Sequence, residues 1–128
     1  IRACGNPERE SGWINEDVIS AFTTLHEIGV AHSIEVWDVD GSLAGGLYGL
    51  ELGGVFAGES MFHVVKNASK VALVHLGSLL NDGQGRVIDT QWMTGHLESM
   101  GAKTIDRGDY CQILPSLLGI SPVLSVAN

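Results

Sequence analysis

The amino-acid sequence predicts an α+β domain in which helices flank a mixed β-sheet. The chain has 128 residues, of which 45% are apolar, enough for one continuous core. Its first half contains three strand-like segments joined by short turns, as in an antiparallel meander. Its second half alternates helical spacing with short strand-like runs, which is typical of helices that cover a sheet. We therefore expect a single domain over residues 1–128.

The first predicted helix spans residues 16–28. Its apolar residues recur three or four positions apart, so they share one helical face. Asn15 is a favourable N-cap and Gly29 a favourable stop signal.

The predicted meander follows this helix. The segment 33–39 alternates polar and apolar residues, and Asp40-Gly41 predicts a type I′ hairpin turn into a second strand over 42–52. Gly53-Gly54 predicts a second reversal, into a third strand over 55–59.

The second half of the chain predicts helices separated by short strands. Asn67 opens a helix that ends at Asp82-Gly83 and is followed by a strand over 86–90. Three further elements are a helix over 96–100 capped by Thr94, a strand over 102–105, and a helix that is capped by Asp106 and ends at Leu114, before Pro115.

Charge and hydropathy exclude two classes of protein. Fifteen acidic residues against seven basic ones give a net charge of -8, which disfavours a free-standing, non-specific nucleic-acid binder. The longest uncharged apolar run, Val71–Leu80, is far shorter than the roughly 20 residues that cross a bilayer. The first dozen residues lack the basic start and apolar run of a secretory signal. We expect a cytoplasmic monomer that makes no contact with membranes.

The cysteines and histidines predict no metal site. Cys4 and Cys111 are far apart in the sequence, and we interpret them as two buried thiols. The five histidines follow no ligand spacing such as HExxH.

Glu59 is a carboxylate between apolar neighbours at the end of a predicted strand. A half-buried acid requires a partner or a function. Glu59 could receive a cationic group of a substrate, cap the following turn, or pair with Lys66 or Lys70. The sequence leaves these alternatives open.

Asp89 and Gln91 form a second polar pair. The period of two in a strand places them on one face, while Ile88 faces the other way. The alternative is an ordinary solvated strand end before Trp92.

Five motifs in the chain are similar to those of a known enzyme family. They are AHSIEVW over 31–37, GGLYG over 45–49, GESMF over 58–62, NASK over 67–70 and IDTQ over 88–91. In this order and at these spacings they resemble the leucyl/phenylalanyl-tRNA-protein transferases. The resemblance covers about Ile1 to Tyr110.

The resemblance implies the acetyltransferase-like (GNAT) fold of the family's C-terminal domain, without the family's N-terminal domain. It implies transfer of Leu or Phe, and sometimes Met, from an aminoacyl-tRNA to the α-amino group of a protein that begins with Arg or Lys. That transfer marks the acceptor protein for degradation, and it uses no metal and no soluble cofactor.

The resemblance also assigns residues to a site. Asp89 and Gln91 match the family's reaction centre, with Glu59 close by. The positions that match the pocket for the donor side chain are Leu47, Met61, Leu80 and Ile88. Several family members have Met in place of Leu47, a swap that preserves volume and apolarity.

Two other functions are compatible with the same architecture. An acetyl-CoA N-acetyltransferase would hold pyrophosphate in a glycine-rich turn before a helix, and the turn over 65–69 lacks those glycines. A non-catalytic module could bind basic protein N-termini through Glu59, although the presence of Asp89 and Gln91 argues against it.

Overall fold

The computed structural model describes residues 1–6 and 12–124. These residues form four helices and four strands, in the order α1 (Glu16–Glu27), β1 (Ala31–Trp37), β2 (Leu43–Leu52), β3 (Val55–His63), α2 (Ala68–Leu80), β4 (Val87–Asp89), α3 (Gly95–Ser99) and α4 (Arg107–Leu118). None of these described helices is long and apolar enough to cross a membrane.

The four strands form one mixed sheet in the order β1-β2-β3-β4. The first three strands pair antiparallel, whereas β4 pairs parallel to β3 after the crossover through α2. The predicted α+β class, with helices flanking a mixed sheet, is confirmed, and it is consistent with an acetyltransferase-like fold.

The strand boundaries differ from the prediction at two places. β1 covers 31–37 instead of 33–39, and β3 continues to His63 instead of ending at Glu59. The additional part of β3 pairs with the first half of β2, which joins Gly45 to His63 and Leu47 to Met61. This tertiary pairing extends the strand beyond its local signal.

The predicted type I′ turn at Asp40-Gly41 is wrong. Of the two residues only Gly41 has a positive φ, at 83°, and its N–H donates to the carbonyl of Asp38 at 3.0 Å. The chain therefore makes a three-residue loop, in which a type I turn precedes a left-handed glycine. The Asp40 carboxylate stabilises this loop by accepting the N–H of Ser42 at 2.9 Å.

Three of the predicted helix caps are confirmed. The side chains of Asn15, Thr94 and Asp106 accept hydrogen bonds from the N–H groups of Val18, Leu97 and Gly108 at 3.0, 3.2 and 2.7 Å. Asn67 precedes α2 as predicted, but it has a φ of 70° and its side chain makes no cap hydrogen bond.

The C-terminal part departs most from the prediction. The segment 102–105 is not a strand, because its side chains are mostly exposed and it pairs with no described strand. α4 does not end before Pro115 but continues through it to Leu118. Pro115 has no N–H to donate within the helix, and Leu117 in the last turn is buried.

Two apolar clusters lie on opposite faces of the sheet. The cluster under α2 contains Leu47, Phe56, Ala72, Leu76 and Leu80. The cluster under α1 contains Cys4, Ile14, Ile19 and Tyr48. Because Leu47 and Tyr48 are consecutive in β2, they point to opposite faces.

A buried charged cluster fixes the C-terminal segment to the sheet. The Glu51 carboxylate accepts the N–H groups of Val123 and Leu124 at 2.7 and 2.9 Å. Arg86 lies beside Glu51 and donates to the carbonyls of Gly53 and Ser121 at 3.0 and 2.7 Å. The segment after α4 thereby covers the edge of the cluster under α2, where Leu124 packs.

Candidate active site

A β-bulge in β3 places Glu59. Tyr48 of β2 pairs with Ser60, but the next residue, Gly49, pairs with Gly58, so Glu59 is the extra residue. Gly49 is required at this point because a Cβ there would lie 2.6 Å from the ring of Phe56 and would collide with the backbone of β3. Bulges of this kind redirect a side chain and are frequent beside active sites.

The end of β4 places Asp89. β4 pairs with β3 only as far as Ala57 and Asp89, and the chain then turns away. Gln91 has a left-handed φ of 69°, and its N–H donates to Oδ1 of Asp89 at 2.8 Å. Asp89 and Gln91 are therefore adjacent through a turn, and the predicted placement on one face of a strand is wrong. The carboxylate satisfies the backbone where the strand ends, which the alternation could not indicate.

The side chain of Gln91 joins the two strands. Its Nε2 donates to the carbonyl of Gly58 at 2.9 Å and lies 3.5 Å from Oε2 of Glu59. The predicted polar residues Glu59, Gln91 and Asp89 thus form one hydrogen-bonded series across the β3–β4 junction. β3 continues beyond this junction, and no described strand pairs with its edge next to the three polar groups.

The contacts of Glu59 distinguish between its predicted pairing with a lysine and its predicted binding of a cationic substrate group. The described side chains of Lys66 and Lys70 form no ion pair with Glu59, whose Oε2 lies 3.5 Å from Nε2 of Gln91. Glu59 is only partly buried, so a cationic group can reach its carboxylate.

Tyr110 is a site residue that the sequence reasoning missed. Its hydroxyl donates to Oδ2 of Asp89 at 2.9 Å. Burial, this hydrogen bond and the charge of Asp89 raise the pKa of Tyr110 above its usual value, so the phenol keeps its proton at neutral pH. No local pattern indicates this contact, because Tyr110 lies on α4 and Asp89 at the end of β4, 21 residues earlier in the sequence.

The four predicted pocket residues belong to one apolar cluster. Leu47 and Leu80 are buried in the cluster under α2, and Met61 and Ile88 pack against it from its partly exposed side. Leu47 and Met61 are also cross-strand partners. Around this cluster, Leu80 and Ile88 line a cavity of about 720 Å³ and Met61 lines a separate one of about 960 Å³. The residues share a core but open onto different cavities.

A comparison with known families decides where this arrangement belongs. The family model described as leucyl/phenylalanyl-tRNA protein transferase matches residues 1–115. The chain belongs to this family. The resemblance carried by the five sequence motifs is therefore confirmed.

Individual relatives agree with the leucyl/phenylalanyl-tRNA protein transferase family. Proteins named leucyl/phenylalanyl-tRNA–protein transferase from Maricaulis maris and Salinibacter ruber are 52% and 50% identical to the chain over 112 and 122 residues. These alignments cover 88% and 95% of the chain, but 51% and 53% of the relatives. The chain thus spans about half the length of the curated relatives that it matches.

The two cysteines of this transferase-family chain differ in their exposure. Cys4 is buried but Cys111 is exposed on α4, so the interpretation of two buried thiols is wrong for Cys111. Within residues 1–6 and 12–124, no three His, Cys, Asp or Glu side chains are grouped closely enough to hold a metal ion.

Proposed function

We propose that this chain transfers Leu, Phe or Met from an aminoacyl-tRNA to the α-amino group of proteins that begin with Arg or Lys. The observation that carries the proposal is the hydrogen-bonded series of Glu59, Gln91 and Asp89 beside an apolar cluster, in a chain of this family. We further propose that residues 1–128 act as a single GNAT-like catalytic domain.

The reaction does not require a strong base. The ester of an aminoacyl-tRNA is already activated, and an α-amino group with a pKa of about 7.7 to 8.0 is partly deprotonated near neutral pH. Asp89 orients this amine and stabilises the positive charge that develops when its nitrogen attacks the ester carbonyl. Holding amine and ester at attack distance contributes about 7 to 11 kcal/mol in well-oriented systems.

The acceptor side chain is bound by acidic groups. Two carboxylates, Glu59 and Asp89, lie on either side of Gln91, and neither forms an ion pair with a described lysine or arginine. A cationic N-terminal side chain complements this charge, which accounts for a preference for Arg and Lys. Glu59 therefore binds the side chain of the acceptor, while Asp89 serves its amine.

The donor side chain is bound by apolar groups. Met61 and Ile88, packed around the buried Leu47 and Leu80, offer apolar surface to an unbranched or aromatic donor side chain, and the β-branched Ile and Val fit this surface less well. Because these residues open onto different cavities, donor binding has to bring their apolar surfaces together. Having Leu at position 47, where several family members have Met, should change the fit of the donor side chain more than the function, because Leu and Met have similar volume.

The biological role follows from the acceptor. Addition of Leu or Phe to proteins with basic N-termini would mark them for degradation in the cytoplasm, with this chain acting as a monomer. Its net charge of -8 predicts weak binding of whole tRNA by these 128 residues alone.

The structure disfavours acetyl-CoA as the donor. In acetyltransferases the N-terminus of a helix must be open to pyrophosphate. Here Ala68 and Ser69, the first two residues of α2, are buried, and Gly45 of β2 lies so near that a Cβ at position 45 would be 2.7 Å from the Cβ of Ala68.

A mass-based transfer assay tests the proposal. The chain is incubated with leucyl-tRNA, or with a short leucyl-adenosine analogue, and with a peptide that begins with Arg; a matched peptide that begins with Ala is the control. We expect Leu to be added to the Arg peptide, with the short donor reacting at least as well as the tRNA. Acetylation of the peptide from acetyl-CoA, with no transfer of Leu from either donor, would contradict the proposal.

A further inference from the structure

Asp89 is held from two directions. Its Oδ1 accepts the N–H of Gln91 at 2.8 Å, and its Oδ2 accepts the hydroxyl of Tyr110 at 2.9 Å. A carboxylate offers about four acceptor positions, so each oxygen keeps one for a substrate. The two donors fix the plane of the carboxylate and leave its remaining lone pairs available.

The helix that carries Tyr110 is itself anchored. The side chain of Asp106 caps α4 just before Tyr110, by accepting the N–H of Gly108 at 2.7 Å. At the other end, the carbonyl of Leu117 accepts the N–H of Gly54 at 2.7 Å, in the turn between β2 and β3. Two glycines make this contact possible, since a Cβ at Gly53 or Gly54 would lie within 3 Å of the carbonyl of Leu117. α4 is therefore fixed against the strand that carries Glu59.

We propose that Tyr110 is a positioning residue for the transfer reaction: its hydroxyl sets the orientation of the Asp89 carboxylate toward the amine. This role rests on the proposed function of Asp89. It adds α4 to the reaction centre and makes the docking of α4 on the β2–β3 turn a condition for full activity.

The hydroxyl remains a donor over the pH range in which the reaction runs. Burial, followed by the hydrogen bond to Asp89 and the charge of that carboxylate, raises the pKa of Tyr110. Tyr110 therefore serves as a fixed neutral donor and takes no proton from the substrate.

The test compares Tyr110→Phe with Tyr48→Phe. Both variants lose one phenolic oxygen, but Tyr48 has no hydrogen-bond partner for its oxygen in the described part of the chain. In Tyr110→Phe we expect kcat to fall about tenfold with an unchanged KM for the Arg peptide, because orientation is lost and binding is kept. We expect Tyr48→Phe to retain both values.

A second readout does not depend on activity. When the Oδ2 bond is lost, the carboxylate can rotate away from Gln91, so we expect the amide proton of Gln91 to move upfield and to exchange several-fold faster. The Gly54 amide, which donates to Leu117, should stay protected and so shows that α4 remains docked.

The outcomes separate this proposal from the proposed function. Absence of Leu transfer by the unmodified chain would remove the function, while the Gln91 amide would still decide whether Tyr110 positions Asp89. An unchanged Gln91 amide in Tyr110→Phe, or an equal change in Tyr48→Phe, would overturn the role of Tyr110. So would an unchanged kcat in an active chain.

Discussion

Glu51 and Arg86 form a buried ion pair, in which Nη1 of Arg86 lies 3.7 Å from Oε1 of Glu51. The side chain of Arg86 is 3% exposed and that of Glu51 is 1% exposed. The pair joins β2 to the residue that precedes β4. Glu51 also holds the backbone of Val123 and Leu124, so one buried carboxylate connects the sheet to the C-terminal segment.

Loss of Arg86 should destabilise the fold strongly. Arg86→Met removes the guanidinium beside the buried Glu51 and leaves His32, whose Nε2 lies 3.8 Å from Oε2, as the remaining ion-pair partner of this carboxylate. Breaking a buried pair by removing one partner typically costs about 3 to 5 kcal/mol of unfolding free energy. The matched control is Arg2→Met, which breaks an exposed pair with Glu16 and should cost at most about 1 kcal/mol. Denaturant unfolding monitored by circular dichroism measures both. Equal losses for the two variants would contradict the structural role of Arg86.

Removal of the Asp89 charge should abolish transfer without unfolding the chain. Asp89→Asn keeps the size of the side chain but removes the charge that stabilises the attacking amine, so we expect kcat to fall by at least about a hundredfold. Asp109→Asn, an equal charge change at an exposed position of α4, is the control. The transfer assay measures both variants, and near-normal turnover in Asp89→Asn would remove Asp89 from the mechanism.

Truncation of Met61 should change donor choice. Met61→Ala empties part of the apolar surface opposite Leu47, so we expect discrimination for Leu over smaller donors to fall by about 10- to 200-fold, the range for loss of apolar contacts in a pocket. Competition between leucyl- and alanyl-adenosine analogues measures the ratio. If donor preference is unchanged while stability drops, Met61 serves the core alone.

A methyl group at the β3 bulge should be poorly tolerated. In Gly49→Ala the new Cβ would lie 2.6 Å from the ring of Phe56, which is 1% exposed, so we expect a loss of about 1 to 3 kcal/mol or more. Gly77→Ala is the control, because no atom lies near its Cβ position in α2 and alanine there should stabilise by about 0.5 to 1 kcal/mol. Thermal unfolding of both variants gives the comparison. A neutral Gly49→Ala would show that β3 can shift away.

Both tyrosines should resist ionisation in the native chain. Burial is the largest cause of the raised pKa of Tyr48 and of Tyr110, the two tyrosines of the sequence. Because the folded state holds these protons more tightly than the unfolded state, stability should be complete below about pH 10 and should fall as the pH rises further. The near-ultraviolet absorbance of tyrosinate measures the titration, with the denaturant-unfolded chain as reference. If either tyrosine of the native chain titrates at the same pH as in the unfolded chain, the prediction is contradicted. The Tyr110→Phe variant retains only Tyr48 and so shows which tyrosine is responsible.

Local sequence signals located most elements but not the contacts of the site. The caps at Asn15, Thr94 and Asp106 satisfy nearby N–H groups, so a few adjacent residues are enough to predict them. The segment 102–105 has the local pattern expected of a strand, but no described strand pairs with it. Strand propensity alone does not distinguish these cases.

In the candidate site, too, local sequence signals identified the residues but not the contacts that depend on distant parts of the chain. The motifs identified Glu59, Asp89 and Gln91, but the alternation of β4 could not show that Gln91 leaves the strand with a left-handed φ. The contribution of Tyr110 depends on how α4 docks on the β2–β3 turn, a long-range contact that no local pattern encodes.

The bulge at Glu59 also determines which side chains of β3 share a face of the sheet. Phe56 and Met61 both face the apolar cluster under α2, although they are an odd number of residues apart. In an uninterrupted strand such residues would point to opposite sides. Deletion of one residue between them would leave them an even number of residues apart, so a regular strand would keep both side chains on the core face. The extra residue is therefore not needed to pack Phe56 and Met61, and its consequence is the placement of Glu59 beside Gln91.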